Sequence, residues 1–342
     1  MRELLYKMLK TPSPSGSELT IQKMIINEMK GVSDKVITHH NFNVINVINP
    51  DSSTKILLCG HIDEVGLYIE KILNDGTCRL AKAGGVRPQV YIGQHVRVIT
   101  QTGKEVYGVI GYTPNMEKLK VTDLLLDLGT TTKEDTMKLV EIGDPVVHIT
   151  NYTELSNNCL AGRALDDKLG AYIVLETLRK AKEQGSKLGV YASTTVGEET
   201  TGRGAKMAAQ VVNPTIAIAV DVSYATDINY LDGLTGDTSL GKGPILTKGS
   251  LMNPKIHELM LASAKRLGLN IQMDIATSRS YTDADSVYDM HDGIPTYLVS
   301  IPLRYMHSSA EVCSMKDVEE IIDLLVDFIM HFDPTTDFDP FK

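Results

Sequence analysis

Four short runs rich in apolar and β-branched residues, at 56–59, 191–196, 216–220 and 297–301, constrain this chain more than any other feature. Near-continuous runs of this length read as strands buried on both faces, as in a sheet covered by helices. Helical patterns lie among them. One spans residues 21–29, and a second spans 167–182 with Leu169, Tyr172, Ile173 and Leu175 on its apolar side. The last is the clearest: Val318, Ile321, Ile322, Leu325, Phe328 and Ile329 recur at helical spacing behind Ser314 and Asp317, a pair that reads as a capping box. Strands alternating with helices predict an α/β fold, a mixed sheet sandwiched by helices.

Between residues 68 and 147 the texture changes. Short alternating segments at 68–73, 95–100 and 106–112 are punctuated by Gly76, Gly84, Gly85, Gly93, Gly103 and Gly111, with little helical periodicity. This predicts a small β-barrel inserted into the α/β unit, so that 1–67 and 148–342 form one domain and 68–147 another. A length of 342 residues fits two domains.

Acids outnumber bases by 43 to 34, and the net charge of −9 argues against a nucleic-acid groove or an anionic membrane as partner. Cys59, Cys78, Cys159 and Cys313 lie far apart without a CxxC pair, so neither a thiolate zinc knuckle nor a disulfide framework is expected. No signal-peptide core or membrane-length apolar stretch is visible, which makes the cytoplasm the expected location.

The chemistry lies just beyond each apolar run. Residues 56–59 lead into Gly60-His61-Ile62-Asp63-Glu64, 191–196 into Gly197-Glu198-Glu199, 216–220 into Asp221, and 297–301 into Arg304-Tyr305-Met306-His307. In open α/β sheets ligands bind outside the carboxyl ends of the strands, so these histidines and acids are expected to converge. Taken singly, each has a duller explanation as a solvated turn or a hydrogen-bonded core residue; only their joint placement points to a site.

His61 and Asp63 are two apart and leave the same face if the strand continues. Asp63 could then hydrogen-bond one imidazole nitrogen while the other binds a metal. In Leu165-Asp166-Asp167 two acids sit at a helix start; Asp167 reads as a cap and Asp166 as the acid that reaches inward. Glu198 and Glu199 need not share a role, since one can bind a metal while the other moves a proton between water and a leaving amine. Imidazoles and carboxylates without thiolates suit zinc, cobalt or manganese in an open site. Two histidines with three or more carboxylates are enough for two ions about 3.5–4 Å apart, which is the donor set of a dinuclear hydrolase.

With these residues in place, HIDEVG at 61–66, GRALDD at 162–167, GEETTGRGA at 197–205, AIAVDV at 217–222 and RYMHS at 304–308 resemble the glutamyl and tetrahedral aminopeptidases, a group also labelled cellulase-M-like. TPSPSGSE near the start, LLLDLGTTTKED, IGDPVV, GKGP and the TDA tripeptide at 282–284 extend the resemblance over nearly the whole chain. It implies a zinc-exopeptidase-like fold with His61 and Asp221 on one metal, Glu199 and His307 on the other, and Asp166 bridging. Glu198 would be the general base, with Asp63 orienting His61. It further implies two divalent ions per subunit, removal of N-terminal residues from short peptides, and assembly into tetrahedral shells of twelve subunits to which the barrel contributes contacts.

The sequence departs from that pattern at Gly197, where the family usually has glutamine, and at Thr200-Thr201, where a Val-Gly pair is usual. A glycine-rich approach to the TDA block is replaced by Ser278-Arg279-Ser280-Tyr281, and Asp285 stands where a small residue is common. Arg279, Tyr281 and Asp285 are therefore the candidate substrate-binding residues. A guanidinium could favour N-terminal Glu or Asp through bidentate pairing, while Asp285 could neutralise it or favour a basic residue. The rival readings are a dinuclear deacylase or carboxypeptidase, a non-catalytic shell-forming relative, and a glycosidase, which would leave the histidines unexplained.

Overall fold

The computed structural model describes residues 2–112, 117–228, 237–339 and 341–342. At the centre of its large mixed sheet, Gly189–Thr195, Lys55–His61, Ile216–Tyr224 and Thr296–Arg304 run parallel side by side. These are the four apolar runs of the sequence, each extended by a few residues. Val44–Ile48 and Lys35–Thr38 continue the sheet on one side with antiparallel pairing. Glu311–Ser314, Cys159–Gly162 and Tyr152–Leu155 continue it on the other, also antiparallel. Ile245–Gly249 branches off Thr296–Arg304, with Gln272–Ala276 beside it.

Alternate residues of the central strands feed two apolar layers, as the two-residue period of a strand requires. Ile56, Leu58, Ile218 and Val220 pack under Leu165–Glu183, Met315–His331 and the helices Glu3–Lys10, Leu19–Glu28 and Pro254–Leu267. Leu57, Cys59 and Ala217 face the opposite side, against Ala205, Ala208 and Val212 of Arg203–Val212 and Val287 of Asp283–Val287. A closed barrel is formed by Gly66–Ile72, Cys78–Ala83, Leu125–Asp127, Glu105–Ile110, Gln94–Ile99 and Pro145–His148, in that order around the wall. Leu67, Ile69, Leu80, Val96, Val98, Leu126 and Val146 fill its separate core. The glycine-punctuated alternation is thus a barrel, and the α/β sandwich carries it as an insertion.

The expected capping box at the last helix does not form. Ser314 is the residue before Met315–His331 but makes no side-chain cap bond. Asp317 instead accepts the N–H groups of Gly241 at 2.7 Å and Gly243 at 2.8 Å, tying the helix start to a distant loop. Asp317 is fully buried.

One backbone approach decides where the functional end of the sheet lies. A Cβ on Gly60 would stand 2.4 Å from the Gly170 carbonyl carbon, and one on Gly170 would stand 2.2 Å from the Asp167 carboxylate and 2.4 Å from the Val220 carbonyl oxygen. Only glycine at both positions lets Leu165–Glu183 meet the strands backbone to backbone, which brings Asp166 and Asp167 level with the strand ends. No helix among the described residues is long and apolar enough to cross a membrane. Gly170→Ala is expected to lower the unfolding free energy by about 1–3 kcal/mol through overpacking. Urea unfolding followed by circular dichroism measures it, and an unchanged midpoint would contradict the close approach.

Candidate metal centre and active site

Strand register alone aligns the first donors. Thr195 pairs with His61, and Cys59 pairs with Ala219, so His61, at the carboxyl end of its strand, stands level with Asp221 in the neighbouring one. Glu198 and Glu199 come three and four residues after Thr195, and His307 comes after the end of Thr296–Arg304. Asp166 enters from the start of Leu165–Glu183.

The side chains converge. His61 Nε2 lies 3.1 Å from Asp166 Oδ1, 3.8 Å from Glu198 Oε2 and 3.9 Å from Asp221 Oδ1. His307 Nε2 lies 3.0 Å from Asp166 Oδ2 and 3.5 Å from Glu199 Oε1. Asp166 thus turns one oxygen to each imidazole. Two donor trios result, His61 with Asp166 and Asp221, and Asp166 with Glu199 and His307; within each the donor atoms lie within 4.8 Å of one another.

The tautomers are set by the other ring nitrogens. His61 Nδ1 faces the Asp63 carbonyl oxygen at 3.0 Å, and His307 Nδ1 faces the Gly85 carbonyl oxygen at 3.1 Å. A carbonyl only accepts, so each Nδ1 carries the hydrogen and each neutral ring presents an Nε2 lone pair. Two lone pairs aimed at carboxylate oxygens repel unless a proton or a cation lies between them. The donor set therefore fits divalent metal ions, and Glu199 Oε1, buried without a hydrogen-bond partner among the described residues, is an acceptor awaiting one.

Charge crowding shows in the proton affinities of the ion-free site. Burial raises Glu198 to about 9, with Asp221 and Asp283 adding to the effect against the pull of His61. Burial likewise raises Asp221 and Glu199 well above the carboxylate range. Asp166 goes the other way: against the penalty of burial, hydrogen bonds from His307 and His61 hold it low. His61 is raised well above its ordinary value, burial being outweighed by Asp166, Asp221 and Glu198.

Asp63 differs from expectation. The strand ends at His61, the chain turns, and the residue's backbone carbonyl orients the imidazole. The Asp63 carboxylate is 3.6 Å from Nδ1, beyond hydrogen-bond range. It accepts the Ser15 hydroxyl at 2.6 Å and the Glu198 N–H at 3.1 Å, so it holds the Glu198 loop rather than the ring. Asp167 caps its helix through the Gly170 N–H at 2.9 Å, and it also accepts the His61 N–H at 3.1 Å. Ser15 and Gly85 escape the sequence reading. Ser15 enters there only within TPSPSGSE, one of the stretches that carry the resemblance, and Gly85 only as glycine punctuation.

A cavity of about 740 Å³ opens over the donors and is lined also by Arg279, Tyr281 and Asp285. Arg279 and Asp285 form an ion pair in which only the arginine is exposed. The Asp285 side chain is 10 % exposed and receives the Ser280 N–H at 2.8 Å, the Ser280 hydroxyl at 2.5 Å and the Tyr281 N–H at 3.1 Å. Arg279, 70 % exposed, has its Nε 3.5 Å from Asp285 and its guanidinium over the Tyr281 ring at 5.6 Å.

This fold and donor set are those of a metal-dependent peptidase, and comparison with known proteins is specific. The family of M42 glutamyl aminopeptidases matches residues 43–324. A lysyl aminopeptidase of Pyrococcus furiosus is 31 % identical over 349 residues, covering 99 % of both chains. Among solved structures, a TET aminopeptidase from a marine sediment thaumarchaeote superposes with a TM-score of 0.90 at 30 % identity, over 97 % of both chains. The Pyrococcus horikoshii TET1 peptidase, described as assembling into a tetrahedron or a large octahedral shell, gives 0.86 at 29 % identity over 96 % of this chain and 99 % of that one. The chain belongs to the M42 glutamyl aminopeptidase family and is a metalloaminopeptidase.

The crowding gives a pH dependence with a definite sign. Without ions, folded Glu198 keeps its proton to about 9 and Asp283, buried beside it, to about 6, against 4.5 and 3.8 for the free groups. His61 and His307 also hold protons above their ordinary 6.5. The folded state therefore binds more protons than the unfolded chain between about 4.5 and 9, and its stability falls as pH rises through that window. Thermal unfolding of chelator-stripped protein at about pH 5, 7 and 9 is expected to show a falling midpoint. Added zinc should raise it most at high pH, where the fewest protons need displacing. A midpoint that rises with pH in the stripped protein would contradict the crowding.

Proposed function

We propose that this enzyme removes the N-terminal residue of short peptides with two divalent ions per subunit, zinc foremost, with cobalt or manganese as alternatives. The observation that carries the reading is the pair of donor trios sharing Asp166, with Glu198 beside them but in neither. His61 and Asp221 would hold one ion, Glu199 and His307 the other, and Asp166 both. Bound there, such ions supply Lewis acidity to a scissile carbonyl and acidify a water.

The chain's own groups supply the rest. Glu198 takes a proton from the attacking water and returns it to the departing amine, the role left to a carboxylate outside the ligand set. Asp63 keeps Glu198 in position through its backbone N–H. Gly85 and the Asp63 carbonyl hold both imidazoles with Nε2 inward.

Arg279 supports an acidic first residue. The Asp285 carboxylate is filled by its own loop, so the guanidinium on the cavity wall keeps donors for a substrate carboxylate. Asp274, also on the cavity wall and bonded to the Ser223 hydroxyl at 3.0 Å, supports the opposite reading, a basic first residue. Likeness to TET peptidases supports a homo-oligomer, a dodecameric shell in which the domain of residues 68–147 would make contacts and residues 1–67 and 148–342 would form the catalytic unit.

Free and N-acetylated peptides differing only at the first residue test the reading. Chelator-sensitive cleavage of the free peptides alone is expected, whereas turnover of acetylated ones would favour a deacylase or carboxypeptidase. Glu198→Gln is expected to lower kcat by about 10²–10⁴-fold with metal content retained. Arg279→Ala should lower kcat/KM for Glu-first relative to Leu-first peptides by about tenfold, a loss of one charge-assisted bond. A gain for Lys-first peptides in wild type, lost in Asp274→Asn, would select the second reading.

A further inference from the structure

We propose that Glu311 is the positioning residue of the metal centre, holding in register two ligand segments that the chain supplies from distant places. This rests on the assignment of Asp166 and His307 as ligands. One Glu311 carboxylate oxygen accepts the N–H of Leu165 at 2.7 Å and of Asp166 at 3.2 Å. The other accepts the N–H of His307 at 2.7 Å. A single side chain thus bridges the backbone under the shared ligand and the backbone under the second imidazole, across 145 and 4 residues of chain.

Each attachment sits where the backbone most needs one. His307 has φ 63°, the left-handed region that a β-carbon disfavours, and Tyr305, two residues before it, has φ 61°. The His307 N–H bond to Glu311 pins that conformation. On the other side, Ala164 has φ 55°, and Leu165 and Asp166 come directly after it. Their N–H groups open the helix and would otherwise lack partners within it.

The carboxylate itself is held rigidly. Glu311 is 1 % exposed and begins the strand Glu311–Ser314, which pairs with Thr296–Arg304 on one side and Cys159–Gly162 on the other. Those two neighbours are the strands that run into His307 and into Asp166. Glu311 therefore sits between the two segments it joins, and its two oxygens divide between them. Both oxygens are taken by backbone N–H groups and Glu311 belongs to neither donor trio, so it acts through Asp166 and His307.

Asp317 provides the matched control, being a buried carboxylate that also satisfies two backbone N–H groups, those of Gly241 and Gly243, outside the donor trios. The experiment compares Glu311→Ala, Glu311→Gln and Asp317→Asn with wild type by two readouts. The first is hydrogen exchange of the 305–309 segment in chelator-stripped protein, which needs neither metal nor turnover. The second is calorimetric titration of the stripped proteins with zinc.

Glu311→Ala is expected to speed exchange of the His307 amide at least tenfold and to weaken one of the two zinc-binding events at least tenfold. Glu311→Gln, which keeps an acceptor oxygen for one segment only, should fall between Ala and wild type, and Asp317→Asn should leave both readouts unchanged. Unchanged exchange and titration in both Glu311 variants would overturn the proposal. So would equal effects from Asp317→Asn, which would reduce Glu311 to a general stabilising role. Wild type binding fewer than two zinc ions would instead count against the two-ion reading, while the exchange result still judges Glu311.

Discussion

The fold is organised around an electrostatic conflict that the protein alone does not resolve. Asp166, Asp221, Glu198 and Glu199 are gathered with the Nε2 sides of His61 and His307 at the carboxyl ends of the central strands, where burial strengthens every repulsion. Buried cations are present close in sequence but are spent elsewhere. Arg163 and Lys168 both pair with Glu64, while Arg163 also donates to the Leu9 carbonyl and Lys168 to the Thr11 carbonyl. Burial lowers Lys168 to about 7, and despite burial the two cations hold Glu64 at about 2. That triad fastens the N-terminal segment and the turn after His61, leaving the adjacent acids for an external cation. Breaking such a buried set by removing one partner typically costs about 3–5 kcal/mol, so it also secures the ground on which the site stands.

Holding the conflict in place requires support that does not neutralise it. Backbone carbonyls fix both imidazoles, because a carbonyl sets the tautomer without adding a charged competitor for Nε2. Backbone N–H groups donate to the surrounding carboxylates: Asp63 accepts that of Glu198, Asp167 that of His61, and Glu311 those of Asp166 and His307. The Gly60 and Gly170 contact brings helix and sheet close enough for these bonds to form. The barrel takes part as well, since Gly85, which orients His307, lies in the inserted segment.

Much of this is legible from residue order because parallel strands buried on both faces must be apolar, and their ends are where apolar runs break into chemistry. His61, Asp221, the Glu198-Glu199 pair and His307 are each found that way, and Asp166 by its place just ahead of a helix. The hidden part depends on where the backbone turns or on contacts far along the chain. The Asp63 carboxylate and carbonyl exchange roles because the strand stops at His61, which spacing cannot reveal. Asp317 looks like a capping residue because its partners Gly241 and Gly243 lie 76 and 74 residues away. Glu311 reads as an ordinary acid at a strand start, and its donors at 165 and 166 are invisible locally. Asp285 pairs with Arg279 at 3.5 Å but also folds back onto Ser280 and Tyr281 at a short helix start, contacts that its spacing from Arg279 does not reveal.

The proposed sharing of Asp166 between two ions is open to one direct measurement. Equilibrium dialysis of chelator-stripped protein against zinc, with metal counted by elemental analysis, can compare wild type with Asp166→Asn, Asp221→Asn and His307→Ala. If Asp166 serves both ions, its variant loses affinity for both, whereas Asp221→Asn and His307→Ala each retain one tightly bound ion. If Asp166→Asn keeps one ion at wild-type affinity, the two donor trios are not joined through Asp166 and the dinuclear account fails.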